Sequence, residues 1–227
     1  MKTLVIVPCY NEELSIKKTI ESLNATVPAV NFIVIDDGSQ DDTYQVCLDN
    51  DYPVIRLPFN VGLTIAFQTG MRYAYINSYD MALQFDGDGQ HLPEYIDQMI
   101  ALMQETSADI VIGSRFLNQK APFNMRSLGS ALIRFAIKLT TGKTITDPTS
   151  GMRLYNRKMI DCFANQMNYG PEPDTIAFLL NRNANVTEHP VKMQERKSGK
   201  SYLTGLKTAK YMLNMFLSIL LIQWFRR

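Results

Sequence analysis

Long apolar runs are missing from this chain of 227 residues. No stretch of 18 apolar residues occurs, and this excludes an ordinary membrane span. Cysteine is scarce. Cys9, Cys47 and Cys162 lie far apart and show neither CxxC nor Cys/His spacing. That excludes a disulfide framework or a zinc finger, and three buried thiols are expected. One-sided charge is also missing. Lys and Arg number 23 against 22 Asp and Glu, a net charge of +1, so a nucleic-acid binder is not expected. No linker, low-complexity stretch or internal repeat divides the sequence. The first apolar run, Leu4 to Val7, is stopped by Pro8-Cys9-Tyr10-Asn11-Glu12-Glu13. It is too short for a secretory signal, and a cytoplasmic protein is expected.

What is present is an ordinary globular composition, 46% apolar and 20% charged. Its first half alternates short apolar runs with helical periodicity. Strands are expected at Leu4–Val7, Phe32–Ile35, Val54–Leu57, Met81–Phe85 and Asp109–Gly113. Helices are expected between them. The first is capped by Asn11, with Glu12 and Glu13 in its first turn. The third covers Gly62–Asn77, and the fourth opens at Pro93. Strands that are apolar throughout and separated by helices indicate a mostly parallel sheet covered on both faces, an α/β fold. Further on, helices are expected at Ser127–Thr141 and Thr175–Asn181. A turn is expected at Asp147-Pro148, and a strand near Val186–Met193.

Ligands of such sheets bind beyond the carboxyl ends of the strands. The loops there carry Tyr10-Asn11-Glu12, Asp36-Asp37-Gly38-Ser39 and Asp86-Gly87-Asp88-Gly89-Gln90. Two carboxylates two residues apart, in a glycine-rich loop, can face one hard cation. Mg²⁺ favours few protein carboxylates together with phosphate oxygens. A solvated turn would use the same residue types. The position after a buried strand favours the cation. Phe59-Asn60-Val61-Gly62 precedes a helix, and its backbone N–H groups suit either phosphate or simple capping.

These segments, with Gly113-Ser114-Arg115-Phe116, resemble family 2 of the inverting glycosyltransferases, which has the GT-A fold. Asp147-Pro148-Thr149-Ser150-Gly151-Met152-Arg153 and Arg196-Lys197-Ser198-Gly199-Lys200-Ser201 are similar to its dolichyl- or polyprenyl-phosphate sugar synthase branch. The resemblance implies a GT-A, Rossmann-like sheet in residues 1–201. Residues 1–115 would form the nucleotide-sugar half and residues 116–201 the acceptor half. It implies a UDP- or GDP-sugar donor and Mg²⁺ or Mn²⁺ as cofactor. By the family pattern, Pro8, Tyr10, Glu12, Asp37 and Asn60 hold the nucleotide. Asp86 lies by the ribose and diphosphate, and Asp88 with Gln90 and Asp86 binds the metal. Arg115, Arg126 with Ser130, and Arg196 would grip phosphate, since guanidinium forks bind phosphate bidentately and stay charged. Arg153, Glu172 and Asp174 fall on the acceptor side.

The acceptor sets the chemistry. A hydroxyl needs a general base, usually Asp or Glu. A lipid phosphate is already anionic and needs only positioning and charge neutralisation. Glu172 and Asp174, bracketed by prolines, suit the first turn of a helix better than a base. A polyprenyl phosphate acceptor is therefore expected, with a glycan hydroxyl as the alternative. A non-catalytic nucleotide-sugar-binding subunit is a second alternative, and the intact acids and arginines argue against it.

Residues 202–227 are expected to form a separate apolar helix. Met212–Phe225 would span ~21 Å as a helix, short of the ~30 Å hydrocarbon core. Lys207, Lys210 or Tyr211, Asn214 and Ser218 would make one polar stripe. Contact with the inner membrane face or a small membrane partner is expected in preference to packing on the domain's own core. A homo-oligomer is left open.

Overall fold

The computed structural model describes residues 1–119, 125–166, 169–194 and 206–221, with the side chains at 125, 126, 206, 207 and 209 outside that description. Seven strands form one sheet. They are β1 (Thr3–Cys9), β2 (Asn31–Asp36), β3 (Val54–Arg56), β4 (Met81–Gln84), β5 (Ile110–Ser114), β6 (Arg153–Asn156) and β7 (Val186–Pro190). Their order across the sheet is β3-β2-β1-β4-β6-β5-β7. Every pairing is parallel except the two made by β6.

Helices cover both faces. They are α1 (Ile16–Thr26), α2 (Thr43–Asp49), α3 (Leu63–Ile76), α4 (Ile96–Thr106), α5 (Met125–Thr141), α6 (Arg157–Asp161), α7 (Pro173–Asn181) and α8 (Leu206–Leu220). All seven residues of β1 are buried, as expected of a strand in mid-sheet. Its side chains alternate between two cores. Leu4 and Ile6 pack with Phe67 and Met71 of α3, whereas Val5 and Val7 pack with Ile16 and Ile20 of α1 and Met99 of α4. The period of two in the pleat divides the apolar residues between the layers.

The expected α/β fold with its mostly parallel sheet is present, with three local differences. The first helix begins at Ile16, not at Asn11. Asn11 takes φ 56°, and its Oδ1 accepts the Gln40 N–H at 2.8 Å, so it binds a neighbouring loop and caps nothing. Strand β6 was not expected. It lies antiparallel between β4 and β5, pairing Gln84 with Arg153 and Ile112 with Arg153. An arginine opening a strand reads as surface, yet Arg153 is 1% exposed. Its guanidinium donates to the carbonyls of Ser150, Pro171 and Pro148 at 2.8, 2.6 and 2.7 Å, which offsets the cost of burying a charge. The third difference is α8. Residues from 202 were assigned outside the transferase body, but one face of α8 packs on α5 and α7. Ile219 is fully buried, and Met212 lies over Gly129, where an added Cβ would meet its Cγ at 2.6 Å. Tyr211 and Ser218, expected in a solvent-facing stripe, turn inward because acids of α7 await their hydroxyls.

The cysteines are unpaired. Cys9 and Cys47 are buried and Cys162 is partly so. Burial pushes the Cys47 thiol up to about 11 and Cys9 upward as well, so both remain neutral packing groups.

Candidate active site

Parallel strands β1, β2 and β4 end at one edge of the sheet. The parallel strand β5 ends there too, and antiparallel β6 begins there. The chain therefore delivers the loops after Cys9, Asp36, Gln84 and Ser114, and the turn before Arg153, to one rim.

The loop after β2 is tightly tied. Asp36 accepts the Ser39 N–H at 3.0 Å and pairs with Arg56 at 3.3 Å. Asp37 is buried. Its Oδ1 accepts the Val61 N–H at 2.9 Å and its Oδ2 the Gly62 N–H at 2.8 Å. Each oxygen thus already holds the loop that leads into α3. Gly38, at φ 68°, lets that loop lie close, since a Cβ there would stand 2.5 Å from the Phe59 carbonyl carbon. A side chain at that φ would also be strained. Glu12 is buried; its backbone N–H donates to Thr43 Oγ1 at 2.8 Å, and its carboxylate accepts the Ser15 hydroxyl at 2.6 Å. Pro8 is buried in β1, while Tyr10 and Asn60 are exposed at the rim. The candidates expected to hold the nucleotide therefore lie together along one rim of the sheet. Glu12 and Asp37 are its frame; Tyr10 and Asn60 are its open members.

The acidic loop after β4 is more open. The Asp86 side chain is 37% exposed. Its backbone N–H donates to His91 Nδ1 at 3.0 Å, and Gln84 Nε2 donates to its Oδ1 at 3.3 Å. Asp88 Oδ1 accepts the Gln90 N–H at 3.0 Å, an Asx turn that fixes the loop. Gly151, in the turn before β6, stands beside Asp86, and a Cβ there would come within 2.7 Å of Asp86 Oδ2. The missing Cβ leaves space in front of that oxygen. Among the described residues no group of three His, Cys, Asp or Glu side chains is arranged to hold a metal. Two acids and an open cradle instead suit a hard cation that takes its other ligands from phosphate and water.

Arg115 lies just after β5, at the same edge of the sheet. It forms a bidentate fork with Asp147, Nε at 2.6 Å and Nη2 at 2.8 Å, and Nη2 also donates to Thr149 Oγ1 at 3.0 Å. The Arg115 N–H adds a further bond to Asp147 Oδ2 at 3.0 Å. Burial opposes the Arg115 charge, but the hydrogen bond and charge of Asp147 outweigh it and raise its pKa. Nε and Nη2 are taken, and among the described residues Nη1 is the guanidinium nitrogen without a hydrogen-bond partner. Arg153 was expected on the acceptor. Its three carbonyl partners make it a brace that ties the 148–150 turn to Pro171. Glu172 accepts the Tyr211 hydroxyl, and Asp174 accepts the Ser218 hydroxyl at 2.6 Å. Burial and then Glu172 push the Tyr211 hydroxyl up, so it remains a donor. Ser130 is buried, and its Oγ has no partner among the described residues. Arg126 sits in the first turn of α5 with its side chain outside the described residues, and Arg196 lies outside them altogether.

Sequence reasoning missed Asp147 and Gly151 as individual residues, although their motif was noticed. Their roles depend on the turn closing over Asp86 and Arg115. Gln84 and Glu188 were missed because a single polar residue within a strand carries no pattern; His91, read as a structural loop histidine beside the acidic loop, accepts the Asp86 N–H.

A mostly parallel sheet with paired acids after β4 and an arginine after β5, both at one edge, has the layout of a sugar-nucleotide transferase. The chain belongs to glycosyl transferase family 2, whose model matches residues 4–163, and it is a glycosyltransferase. Among its relatives is the UDP-N-acetylglucosamine–dolichyl-phosphate N-acetylglucosaminyltransferase of Methanococcus voltae, 30% identical over 83% of this chain and 84% of the relative. The undecaprenyl-phosphate mannosyltransferase of Micrococcus luteus is 29% identical over 90% of this chain and 88% of the relative. Among solved structures, the glucosyl-3-phosphoglycerate synthase of Mycobacterium tuberculosis, crystallised with Mn²⁺ and UDP-glucose, aligns with TM-score 0.71 at 18% identity, over 98% of this chain and 78% of the other. That likeness confirms the GT-A fold.

Proposed function

We propose that this enzyme transfers a sugar, with inversion, from a nucleoside diphosphate sugar to a polyprenyl phosphate at a membrane surface. The observation that carries this reading is the state of the two acids on the acceptor side. Glu172 and Asp174 accept hydroxyl hydrogen bonds from α8, so neither is presented as a general base. An anionic acceptor needs none. The relatives named for dolichyl and undecaprenyl phosphate support the same acceptor class.

Asp86, Asp88 and Gln90 would hold Mg²⁺ or Mn²⁺, with Gly151 leaving room for it. When bound, such an ion supplies positive charge to the departing diphosphate. The protein groups do the remaining work. The rim formed by Tyr10, Glu12, Asp37 and Asn60 receives the nucleotide. Arg115 Nη1 and the Ser130 hydroxyl orient the acceptor phosphate, whose oxygen attacks the anomeric carbon from the face opposite the diphosphate. No proton is removed in that step.

Charge distribution supports the membrane. Residues 110–146 contain six cations and no acid, and residues 196–227 contain seven cations and no acid. Thirteen of the 23 cations thus fall in two segments that meet where α5 packs on α8. Leu128, Leu132, Phe135 and Leu139 are exposed along α5, and Leu213, Leu217 and Leu221 along α8. Apolar ridges flanked by cations suit an anionic lipid surface. No helix among the described residues is long and apolar enough to cross a membrane, so this contact would be peripheral.

The test is incubation with a panel of UDP- and GDP-sugars, Mn²⁺ and polyprenyl phosphate in anionic vesicles, with mass spectrometry of the lipid. A glycosyl-phosphoryl lipid is expected. Transfer only to glycan hydroxyls, together with a loss of about 10² to 10⁴ in Glu172→Gln or Asp174→Asn, the scale of general-base catalysis, would overturn the reading.

A further inference from the structure

We propose that Glu188 is a positioning residue that sets the phosphate-facing guanidinium of Arg115 through the turn at 146–147. Glu188 lies in β7, opposite Ile112 of β5 and three residues short of Arg115 in register. Its carboxylate makes three short hydrogen bonds. Oε2 accepts the Thr146 N–H at 2.7 Å; Oε1 accepts the Thr146 hydroxyl at 2.8 Å and the Asp147 N–H at 2.9 Å. The Thr146 hydroxyl also meets Ser114 Oγ at 2.6 Å. Asp147, fully buried, then turns its carboxylate outward to the Arg115 fork.

The order of contacts gives Glu188 its purpose. A carboxylate holds a turn by its N–H groups, and the turn presents a second carboxylate to a cation. Asp147 alone could neutralise Arg115 from several directions. With its own N–H fixed by Glu188 and its side chain holding both the backbone N–H and the Nε and Nη2 groups of Arg115, one geometry remains, and Nη1 is the edge left over. Without Glu188, two backbone N–H groups of the turn would lose their acceptor, which costs more than the bond itself is worth. The turn would then relax, and Arg115 with it. Because, among the described residues, the Glu188 carboxylate hydrogen-bonds only to this turn, its effect on catalysis should pass through Arg115 and leave the nucleotide rim untouched.

This proposal rests on the acceptor reading above for its kinetic part but not for its structural part. The structural part is tested without substrate. In ¹⁵N NMR the Arg115 Nε–H signal, assigned by its disappearance in Arg115→Lys, should exchange slowly in the native protein. In Glu188→Gln one of the two acceptor oxygens becomes an NH2 donor, so one turn N–H loses its acceptor, and exchange should quicken about tenfold, the scale of one lost charge-assisted hydrogen bond. If Glu188→Gln fails to fold, Thr146→Val removes the hydroxyl link alone and should quicken exchange about threefold, the weight of one neutral bond. Unchanged exchange in the folded variant would overturn the proposal. The kinetic part uses a double-mutant cycle. Glu188→Gln should lower kcat/KM for the lipid phosphate about tenfold while leaving the donor KM within about twofold, and should add little in the Arg115→Lys background. Additive losses, or a raised donor KM, would show a general structural role and overturn it. A native protein that transfers nothing to lipid phosphate would sink the acceptor reading, while the exchange measurement would still decide the role of Glu188.

Discussion

The two halves of the site hold their acids in different ways. In the nucleotide half, carboxylates are met mainly by backbone N–H groups of nearby loops. Asp37 takes Val61 and Gly62, and Asp36 takes Ser39. In the half proposed for the acceptor, Glu188 also takes backbone N–H groups, but three other acids are held by side chains far along the chain. Asp147 takes Arg115, Glu172 takes Tyr211, and Asp174 takes Ser218. Backbone donors fix a loop but leave the surface chemistry of the pocket alone. Side-chain donors tie one element to another and cancel charge. The nucleotide half is thus a shaped rim with one pair of acids, Asp86 and Asp88, on a single glycine-rich loop. The acceptor half is a set of latches in which cationic edges remain available and acids do not.

The largest effect should come from the acids of the loop after β4. Asp88→Asn keeps an acceptor for the Gln90 N–H, so the fold should persist. Turnover should fall by about 10³, equivalent to ~4 kcal/mol of lost charge stabilisation. Initial rates at saturating Mn²⁺, with circular dichroism as a control, check it. Full activity would remove Asp88 from the metal site.

Next is the strongest latch. Asp147→Ala leaves the Arg115 guanidinium two-thirds buried without its partner, and stability should drop by about 3 kcal/mol. For a domain of this size that is a melting-point fall of ~9 °C. A fall no larger than that of an exposed pair would mean that water replaces Asp147 freely, and the contrast between the halves would weaken.

Gly151→Ala tests the place where the halves touch. Its Cβ would press on Asp86 Oδ2 without demanding a forbidden backbone. Metal-dependent UDP binding, measured by calorimetry, should weaken about tenfold, or ~1.4 kcal/mol, while binding with chelator present stays unchanged. Equal losses in both conditions would place the effect on the nucleotide and not on the cation.

The α8 latch should be milder. Ser218→Ala removes one hydrogen bond to the buried Asp174, and urea unfolding should show a loss of ~2 kcal/mol. Tyr211→Phe should cost somewhat less, because Glu172 is only partly buried. Catalysis should change little in either if the acids are not bases.

The smallest effect concerns pH. Burial lowers the pKa of His189 below its ordinary 6.5, and a backbone hydrogen bond only partly offsets this. Its neutral form is favoured in the fold, so the stabilisation is present above about pH 6.5 and is lost as pH falls toward the lower folded value. The melting temperature should slope downward below pH 6.5, and His189→Gln should flatten that slope. An unchanged slope would assign acid sensitivity elsewhere.

Much of the nucleotide half was legible in the chain. Apolar runs ended by Asp and Gly marked β1, β2 and β4 and the loops behind them, because a strand buried on both faces has no polar residues to hide it. The rest was harder to read for one recurring reason. Arg153-Leu154-Tyr155-Asn156 has no strand pattern, and it becomes β6 because the carbonyls of Pro148, Ser150 and the more distant Pro171 accept the arginine. Tyr211 and Ser218 read as a wet stripe until α7 supplies two acids. Asn11 reads as a cap until Gln40 comes to meet it.

The sequence by itself determined the alternation of strands and helices, the sheet edge where chemistry collects, and the acids and arginines that reach it. Those follow from hydrophobic period and from residue type, which are local. Only the tertiary structure decided which charges stay available. Whether a carboxylate binds a cation, caps a loop or holds a latch depends on what donor lies within 3 Å, and several such partners here stand 24 to 44 residues away along the chain. Burial then makes each of those choices costly to reverse, because a desolvated charge must keep the partner that the fold provides.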